Sequence, residues 1–143
     1  RIPVDMTGLL LTLPLVEGKV EPWRRFCQEL SGTRLMAYIA SRRRLGISYE
    51  GLTLVETQAV SLAEMSLTAD DAERTLDLLA HSPMPFDVWY RERVWEHHGI
   101  GLADDRVRIQ STAPVLRREL MFEWALTGTG RSTSDRTGRS GRA

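Results

Sequence analysis

The sequence predicts an α+β domain in which one antiparallel sheet carries helices on a single face. Short apolar or alternating runs, typical of strands, are separated by segments with the 3.6-residue periodicity of helices. The segments follow one another in the order β-α-β-β-α-β, the split β-α-β arrangement. A length of 143 residues with 42% hydrophobic residues suits one domain with its own core. We therefore expect a single domain over residues 7–126.

The first half of the chain is expected to form a strand and a broken helix. The leucine-rich run over residues 8–16 has the length of a buried strand, which Pro14 ends or confines to a sheet edge. A helix follows Pro22, and its inner face has the spacing i, i+3, i+4, i+7: Trp23, Phe26, Cys27 and Leu30. Thr33 is expected to cap a second helical segment, which ends at Gly46.

The second half is expected to add two paired strands, two helices and a last strand. Their expected ranges are 47–56, 60–68, 69–81, 85–98 and 107–111. Thr68 is a suitable cap for the first of these helices, because acidic residues follow it in the first turn. Residues 119–126 fit either a further strand or a short helix.

The composition excludes several classes of function. Because 19 basic residues are matched by 19 acidic ones, no nucleic-acid partner is expected, and no run of about 18 apolar residues suggests a membrane span. Cys27 is the lone cysteine, so we expect no internal disulfide, and no zinc-ligand spacing or phosphate loop is present. A cytoplasmic protein without a metal site is predicted. Residues 1–6 are expected to be an N-terminal extension, and residues 127–143 a flexible tail.

A sheet with helices on one face leaves its other face in need of cover. In a domain of this size, the simplest cover is the equivalent sheet of a second copy, related by a two-fold axis. A homodimer is therefore expected.

Four segments carry a resemblance to a known superfamily: residues 49–52, 70–73, 82–91 and 96–100, which read YEGL, DDAE, SPMPFDVWYR and EHHGI. The sequence resembles the dimeric α+β barrel superfamily over residues 7–112, and more narrowly a group of short bacterial members. The resemblance implies a ferredoxin-like sheet that dimerises into an α+β barrel. It also implies an enzyme acting on a small organic molecule, in the manner of the cofactor-independent monooxygenases and polyketide cyclases of the superfamily.

The helix over residues 85–98 holds the candidate binding residues. One face is expected to carry Phe86, Trp89, Tyr90, Arg93, Val94 and His97, with Trp95 and His98 on its flanks. Aromatic rings beside polar groups are typical of a small-molecule pocket, although an aromatic stripe is also typical of plain core. The pocket hypothesis assigns substrate binding to Trp89, Phe86, Arg91 and Trp95.

The candidate catalytic residues are His97, Tyr90 and Glu50. His97 is suited to proton transfer, or to ligating haem if a cofactor is bound at all, and its alternative role is a favourable charge at a helix end. Adjacent residues of a helix point about 100° apart, so at most one of His97 and His98 is expected to face inward. An inward Glu50 needs a cationic partner, for which Arg42–Arg44 and Arg91 are available, although a run of arginines is usually solvated.

Two classes of function stay open. The first is an enzyme that acts on a small organic molecule between sheet and helices, with no cofactor or with haem. The second is a non-catalytic binding or interaction module whose dimer surface is its main use.

Overall fold

A computed structural model describes residues 6–126 of the chain, so the predictions for residues 1–5 and 127–143 lie outside the described residues. The strands are β1 (Thr7–Pro14), β2 (Ile47–Thr57), β3 (Ser61–Ala69) and β4 (Val115–Ala125). The helices are α1 (Val20–Ser31), α2 (Leu35–Leu45), α3 (Ala72–His81) and α4 (Pro85–His98), and a 3-10 turn covers Asp105–Arg108. The predicted α+β class is confirmed. No helix in this part of the chain has the length and apolarity needed to cross a bilayer.

The four strands form one antiparallel sheet in the order β1-β3-β2-β4. The expected pairing of β2 with β3 is confirmed, and β3 also pairs with β1, as in the register Leu11 to Met65 to Leu52. The ferredoxin-like strand order is not confirmed, because the last strand lies beside β2, where Leu52 pairs with Phe122, and not beside β1. The split β-α-β unit is thus present, with β4 added at the opposite edge.

All four helices contribute to a single core on one face of the sheet. The spacing of α1 places Trp23, Phe26, Cys27 and Leu30 in that core, as its sequence predicts. Every second residue of the central strands joins them, including Leu52 and Leu54 of β2 and Met65 and Leu67 of β3. Side chains of α2, α3 and α4 complete the same cluster.

The other side of the sheet, here called the open face, is formed by the alternate residues of each strand. Its members include Leu10, Thr12 and Pro14 of β1, Leu62, Glu64 and Ser66 of β3, Tyr49, Gly51, Thr53 and Val55 of β2, and Leu116, Arg118, Leu120 and Glu123 of β4. Thr12, Leu62 and Val55 are already buried within one chain, whereas the leucines near the two edges are exposed. Side-chain contacts run across this face: Arg118 Nη1 donates to Glu64 Oε1, and Tyr49 Oη donates to Glu123 Oε2 at 3.0 Å. The open face therefore mixes leucines with an ion pair and a tyrosine–carboxylate hydrogen bond.

The predicted strand over residues 107–111 is wrong. The side chain of Asp104 accepts from the backbone N–H of Arg106 at 2.9 Å, which starts the 3-10 turn, and Val107 alone in this segment is fully buried. A four-residue turn with one buried side chain and charged neighbours gives the same short alternation as a strand. The last strand is instead β4, which settles the ambiguity of residues 119–126 in favour of a strand.

Two predicted caps are also corrected. Thr68 lies inside β3, and Asp71 caps α3 by accepting from the backbone N–H of Arg74 at 3.1 Å. The residue before α2 is Arg34 and not Thr33, and its side chain makes no capping hydrogen bond. The strand continued past Thr68 because its pairing with Tyr49 and Gly8 stabilises extended backbone.

Candidate functional site

A carboxylate at the centre of the core organises the buried polar residues. Glu50 is fully buried on β2, and both of its oxygens are occupied. Oε1 accepts from Tyr38 Oη and from Arg42 Nε, each at 2.7 Å. Oε2 accepts from Tyr90 Oη at 2.7 Å and from Arg42 Nη2 at 3.4 Å. We call these four residues the Glu50 cluster.

Each member of the Glu50 cluster is positioned by a different local pattern. Tyr38 and Arg42 are four residues apart on α2, so both project from one face of that helix toward β2. Tyr90 reaches the same carboxylate from the middle of α4. The Arg42 guanidinium carbon lies 4.6 Å from the Tyr38 ring centre and 4.4 Å from that of Tyr90, distances suited to cation–π attraction. The cluster joins α2 and α4 to the sheet.

A second carboxylate, Asp87 in the first turn of α4, extends the network toward the surface. Ser41 Oγ donates to Asp87 Oδ1, and Ser82 Oγ and Arg44 Nη1 both donate to Oδ2. Arg42 Nη1 donates to Ser41 Oγ at 2.9 Å and thereby connects the two carboxylates. Asp87 holds the loop after α3 against the end of α2. The helix begins after Met84, so Asp87 acts through these side-chain bonds and not as the N-terminal cap.

The electrostatics of these groups suit structure better than proton transfer. Burial and the Glu50 charge raise the pKa of Tyr38 and of Tyr90 well above the ordinary tyrosine value, so both phenols stay protonated as donors. Burial works to raise the pKa of Asp87, but hydrogen bonds from Arg44, Ser41 and Ser82 lower it overall. A substrate would reach Glu50 only by displacing hydrogen bonds from groups that are at most 1% exposed.

Both histidines at the end of α4 are buried, so the expectation that at most one faces inward is wrong. Adjacent helical positions point about 100° apart, but protein lies on both sides of the helix end and covers both rings. The His97 ring packs edge-on against Phe26, with centroids 5.6 Å apart. The His98 ring packs against Trp23, and its Nδ1 donates to the Pro14 carbonyl at 2.7 Å.

His97 does not reach the other two predicted catalytic residues through any hydrogen bond in the described part of the chain. Its Nε2 lies 3.4 Å from Glu96 Oε1, and its Nδ1 is buried without a hydrogen-bond partner. Burial lowers the pKa of His97, against an opposing effect of Glu96. Tyr90 and Glu50, by contrast, are in direct contact.

The surroundings of His97 do not fit a haem. The side chain is 3% exposed and lies against Phe26, and its unpaired Nδ1 points into packed protein where an axial ligand needs an open coordination position. Among the described residues, no group of three His, Cys, Asp or Glu side chains is placed to hold a metal ion.

The aromatic residues predicted to bind substrate divide into two sets. Phe86 is buried in the core beside Tyr38, and Trp89 is covered by Arg34, whose guanidinium carbon lies 4.1 Å from the Trp89 ring centre. Arg91 and Trp95 instead line an open groove of about 410 Å³. Of the two interpretations of this aromatic stripe, plain core therefore fits Phe86 and Trp89, and the wall of a pocket fits Arg91 and Trp95.

Sequence reasoning offered Arg42 as a partner for an inward Glu50, and that pairing is confirmed. The alternative, that the arginine run is a solvated helix end, is wrong for Arg42, which is fully buried. Tyr38 and Ser41 were missed. The signal that identifies them is helical spacing, because Tyr38, Ser41 and Arg42 stand at i, i+3 and i+4 on α2.

Comparison with known proteins gives no match: no family model fits the chain, and neither a curated protein nor a solved structure shows significant similarity to it. The resemblance of its segments to the dimeric α+β barrel superfamily therefore stays a prediction.

Proposed function

We propose that this protein is a non-catalytic interaction module that works as a homodimer, with the open faces of two sheets packed together. The observation that supports this most directly is the exposure of leucines on that face. Leu10, Leu116 and Leu120 are 42%, 66% and 45% exposed, while the side chains of all four helices are committed to the opposite face. Covering these leucines removes apolar surface from water, which stabilises the assembly.

The arrangement of the strands suggests how two copies meet. β1 and β4 are the two edges of the sheet, so a two-fold axis parallel to the strands places β1 of each copy over β4 of the other. Leu120 lies in the same row of paired residues across the sheet as Thr12, and Leu10 is two residues before Thr12 on β1. Leu120 of each copy then lies over Thr12 of the other, in the row next to Leu10, and the smaller central residues Ser66 and Thr53 allow the sheets to approach.

Each carboxylate of the open face has a hydrogen-bond donor within one copy, which reduces the cost of burying it. Arg118 is bound to Glu64, and Tyr49 is bound to Glu123, so neither carboxylate depends on the second copy for its partner. A pair that is already satisfied loses less on desolvation than a lone charge. This packing follows the dimeric α+β barrel plan that the sequence resembles, although β4 occupies a different edge.

A second candidate is the small-molecule enzyme, of the monooxygenase or cyclase type, that the resemblance implies. The contact of 2.7 Å between Tyr90 Oη and Glu50 Oε2 favours it, since it joins two of the three predicted catalytic residues. The enclosure of Glu50 by Arg42 and Tyr38 favours the module instead. We therefore rank the module first.

Sedimentation velocity with three variants tests the homodimer on which the proposed module depends. The wild-type protein is expected to sediment as a dimer at micromolar concentration, and Leu10→Glu and Leu120→Glu are expected to sediment as folded monomers. Leu78→Glu is the matched control, because Leu78 on α3 is 43% exposed and lies away from the sheet. It should remain a dimer.

A folded wild-type monomer at about 50 μM, a concentration at which a specific dimer of micromolar affinity is mostly assembled, would contradict the proposal. Dissociation of Leu78→Glu with retention of the dimer in Leu120→Glu would place the interface elsewhere and contradict it equally. Circular dichroism of each variant shows whether loss of the dimer is a loss of fold.

A further inference from the structure

A groove on the helical side of the molecule lies away from both the open face and the Glu50 cluster. It runs between α4, the end of α3 and the segment after α4, and its volume is about 410 Å³. That volume falls within the range of small-molecule sites in proteins. Its wall on α4 consists of residues at i, i+3, i+4 and i+7, namely Val88, Arg91, Glu92 and Trp95.

Trp95 presents an unusual amount of aromatic surface to this groove. The residue is 60% exposed, whereas Trp23 and Trp124 are 1% exposed. A Cβ atom built on Gly101 would lie 3.4 Å from the Trp95 ring atoms, so the indole rests against backbone that carries no side chain. Trp95 and Gly101 both line the groove, so the indole forms part of its wall beside this backbone.

Arg91 brings unused hydrogen-bond donors to the same wall. Its Nη1 donates to the carbonyls of Leu79 and Ser82 at 2.9 and 2.6 Å, which fixes the guanidinium at the end of α3. Its Nε and Nη2 have no partner among the described residues and are not enclosed. These two atoms form the edge of a guanidinium that binds a carboxylate in bidentate fashion.

Two carboxylates line the groove, and only one of them is already bound to an arginine. Glu92 is exposed and has no hydrogen-bond partner in the described part of the chain. Asp104 is held by Arg106, with Nε and Nη2 donating to its two oxygens at 3.0 and 2.7 Å. Glu92 is thus the carboxylate that remains available to a cationic ligand.

We propose that this groove binds a small zwitterion that carries an alkylated ammonium and a carboxylate. The ammonium lies over the face of Trp95 beside Glu92, and the carboxylate meets the free edge of Arg91. Trp is the best aromatic partner for an alkylated ammonium. Arg91 and Trp95 are one turn apart, about 6 Å between Cβ atoms, which suits charges separated by a short alkyl chain. A ligand with only one of the two charges would leave either Arg91, or Trp95 and Glu92, without a binding partner.

Isothermal titration calorimetry tests the proposal with 4-(trimethylammonio)butyrate as the probe. Choline and butyrate supply its two halves separately. Both are expected to bind at least tenfold more weakly than the zwitterion. Trp95→Leu is expected to weaken zwitterion binding at least tenfold, Trp95→Phe to weaken it less, and Glu92→Gln to weaken it several-fold. Glu29→Gln, an exposed substitution on α1, is the matched control and is expected to bind as the wild type does.

Three results would overturn the proposal. The first is the absence of any heat of binding with the zwitterion at about 10 mM. A dissociation constant above that concentration corresponds to a binding free energy weaker than about −3 kcal/mol. The second is unchanged affinity in Trp95→Leu. The third is choline or butyrate binding as tightly as the zwitterion. Trp95 is exposed, so its variants are expected to keep the wild-type fold, which circular dichroism checks.

Discussion

Arg42 and Glu50 form an ion pair in which both side chains are completely excluded from solvent, with Nε 2.7 Å from Oε1. Removing two charges from water is costly, and their attraction offsets that cost only when geometry and further hydrogen bonds are favourable. Here Tyr38 and Tyr90 donate those further bonds to Glu50, and Ser41 Oγ accepts one from Arg42. The pair is therefore tolerated as part of a satisfied network, and its members depend on one another.

Glu50→Gln is expected to destabilise the protein by about 3–5 kcal/mol, because it leaves the Arg42 charge buried without a counter-ion. Urea unfolding followed by circular dichroism measures the change. Glu73→Gln is the control, since the Glu73–Arg108 pair is equally short at 2.6 Å but lies at the surface. That variant is expected to lose far less stability, because solvent screens an exposed pair. Equal losses in the two variants would contradict the role assigned to burial.

Tyr38→Phe and Tyr90→Phe are expected to cost about 1.5–3 kcal/mol each, the usual range for a hydrogen bond to a charged group. Each variant removes one phenol donor from a different oxygen of Glu50 while it keeps the ring that packs on Arg42. Ser31→Ala is the control, because its hydroxyl is exposed at the end of α1 and donates to the neutral Cys27 carbonyl at 3.3 Å, so its loss is expected to be smaller. A loss confined to Tyr90→Phe would show that Tyr38 is not an equal partner.

The amphipathic pattern was sufficient to predict α1, since its four inner residues recur at helical spacing and all four are buried. The pairing of β2 with β3 was also predictable, because only a few residues separate the two strands. The position of β4 was not. β4 pairs with β2, which lies far from it in the sequence. Whether the last strand joins β1 or β2 depends on long-range contacts, which a local sequence pattern does not contain.

The Glu50 cluster shows why a site is harder to predict than a fold. Arg42 stands in a run of arginines, and its burial depends on Glu50, eight residues on, and on Tyr90, 48 residues on. Sequence reasoning named Glu50 and Tyr90, together with His97, as candidate catalytic residues, and Arg42 as one of several possible counter-ions of Glu50. It had no means to show that Tyr38 closes the remaining side.

Cys27 is expected to resist thiol reagents in the native protein. The residue is fully buried, and burial and the nearby Glu50 charge raise the pKa of its thiol, so the reactive thiolate is scarce. Reaction with Ellman's reagent at pH 8 should be slow in buffer and fast in urea. Rapid labelling of the folded protein would show that α1 opens readily or that the thiol lies nearer the surface.

His98 is expected to make the protein less stable in mild acid. Burial lowers its pKa from 6.5 to about 4 in the folded state, despite the bond to Pro14. Between those values the unfolded chain takes up a proton that the folded chain does not, so stability is complete above pH 6.5 and falls toward pH 4. The slope is about 1.4 kcal/mol per pH unit, or on the order of 3 kcal/mol over the whole window. His97, whose pKa is also lowered, adds a loss of the same sign.

His98→Asn keeps an N–H donor for the Pro14 carbonyl but does not titrate, so its urea midpoint should change much less between pH 7 and pH 5 than that of the wild type. Equal shifts in the two proteins would mean that His98 is already protonated in the folded state or is not buried.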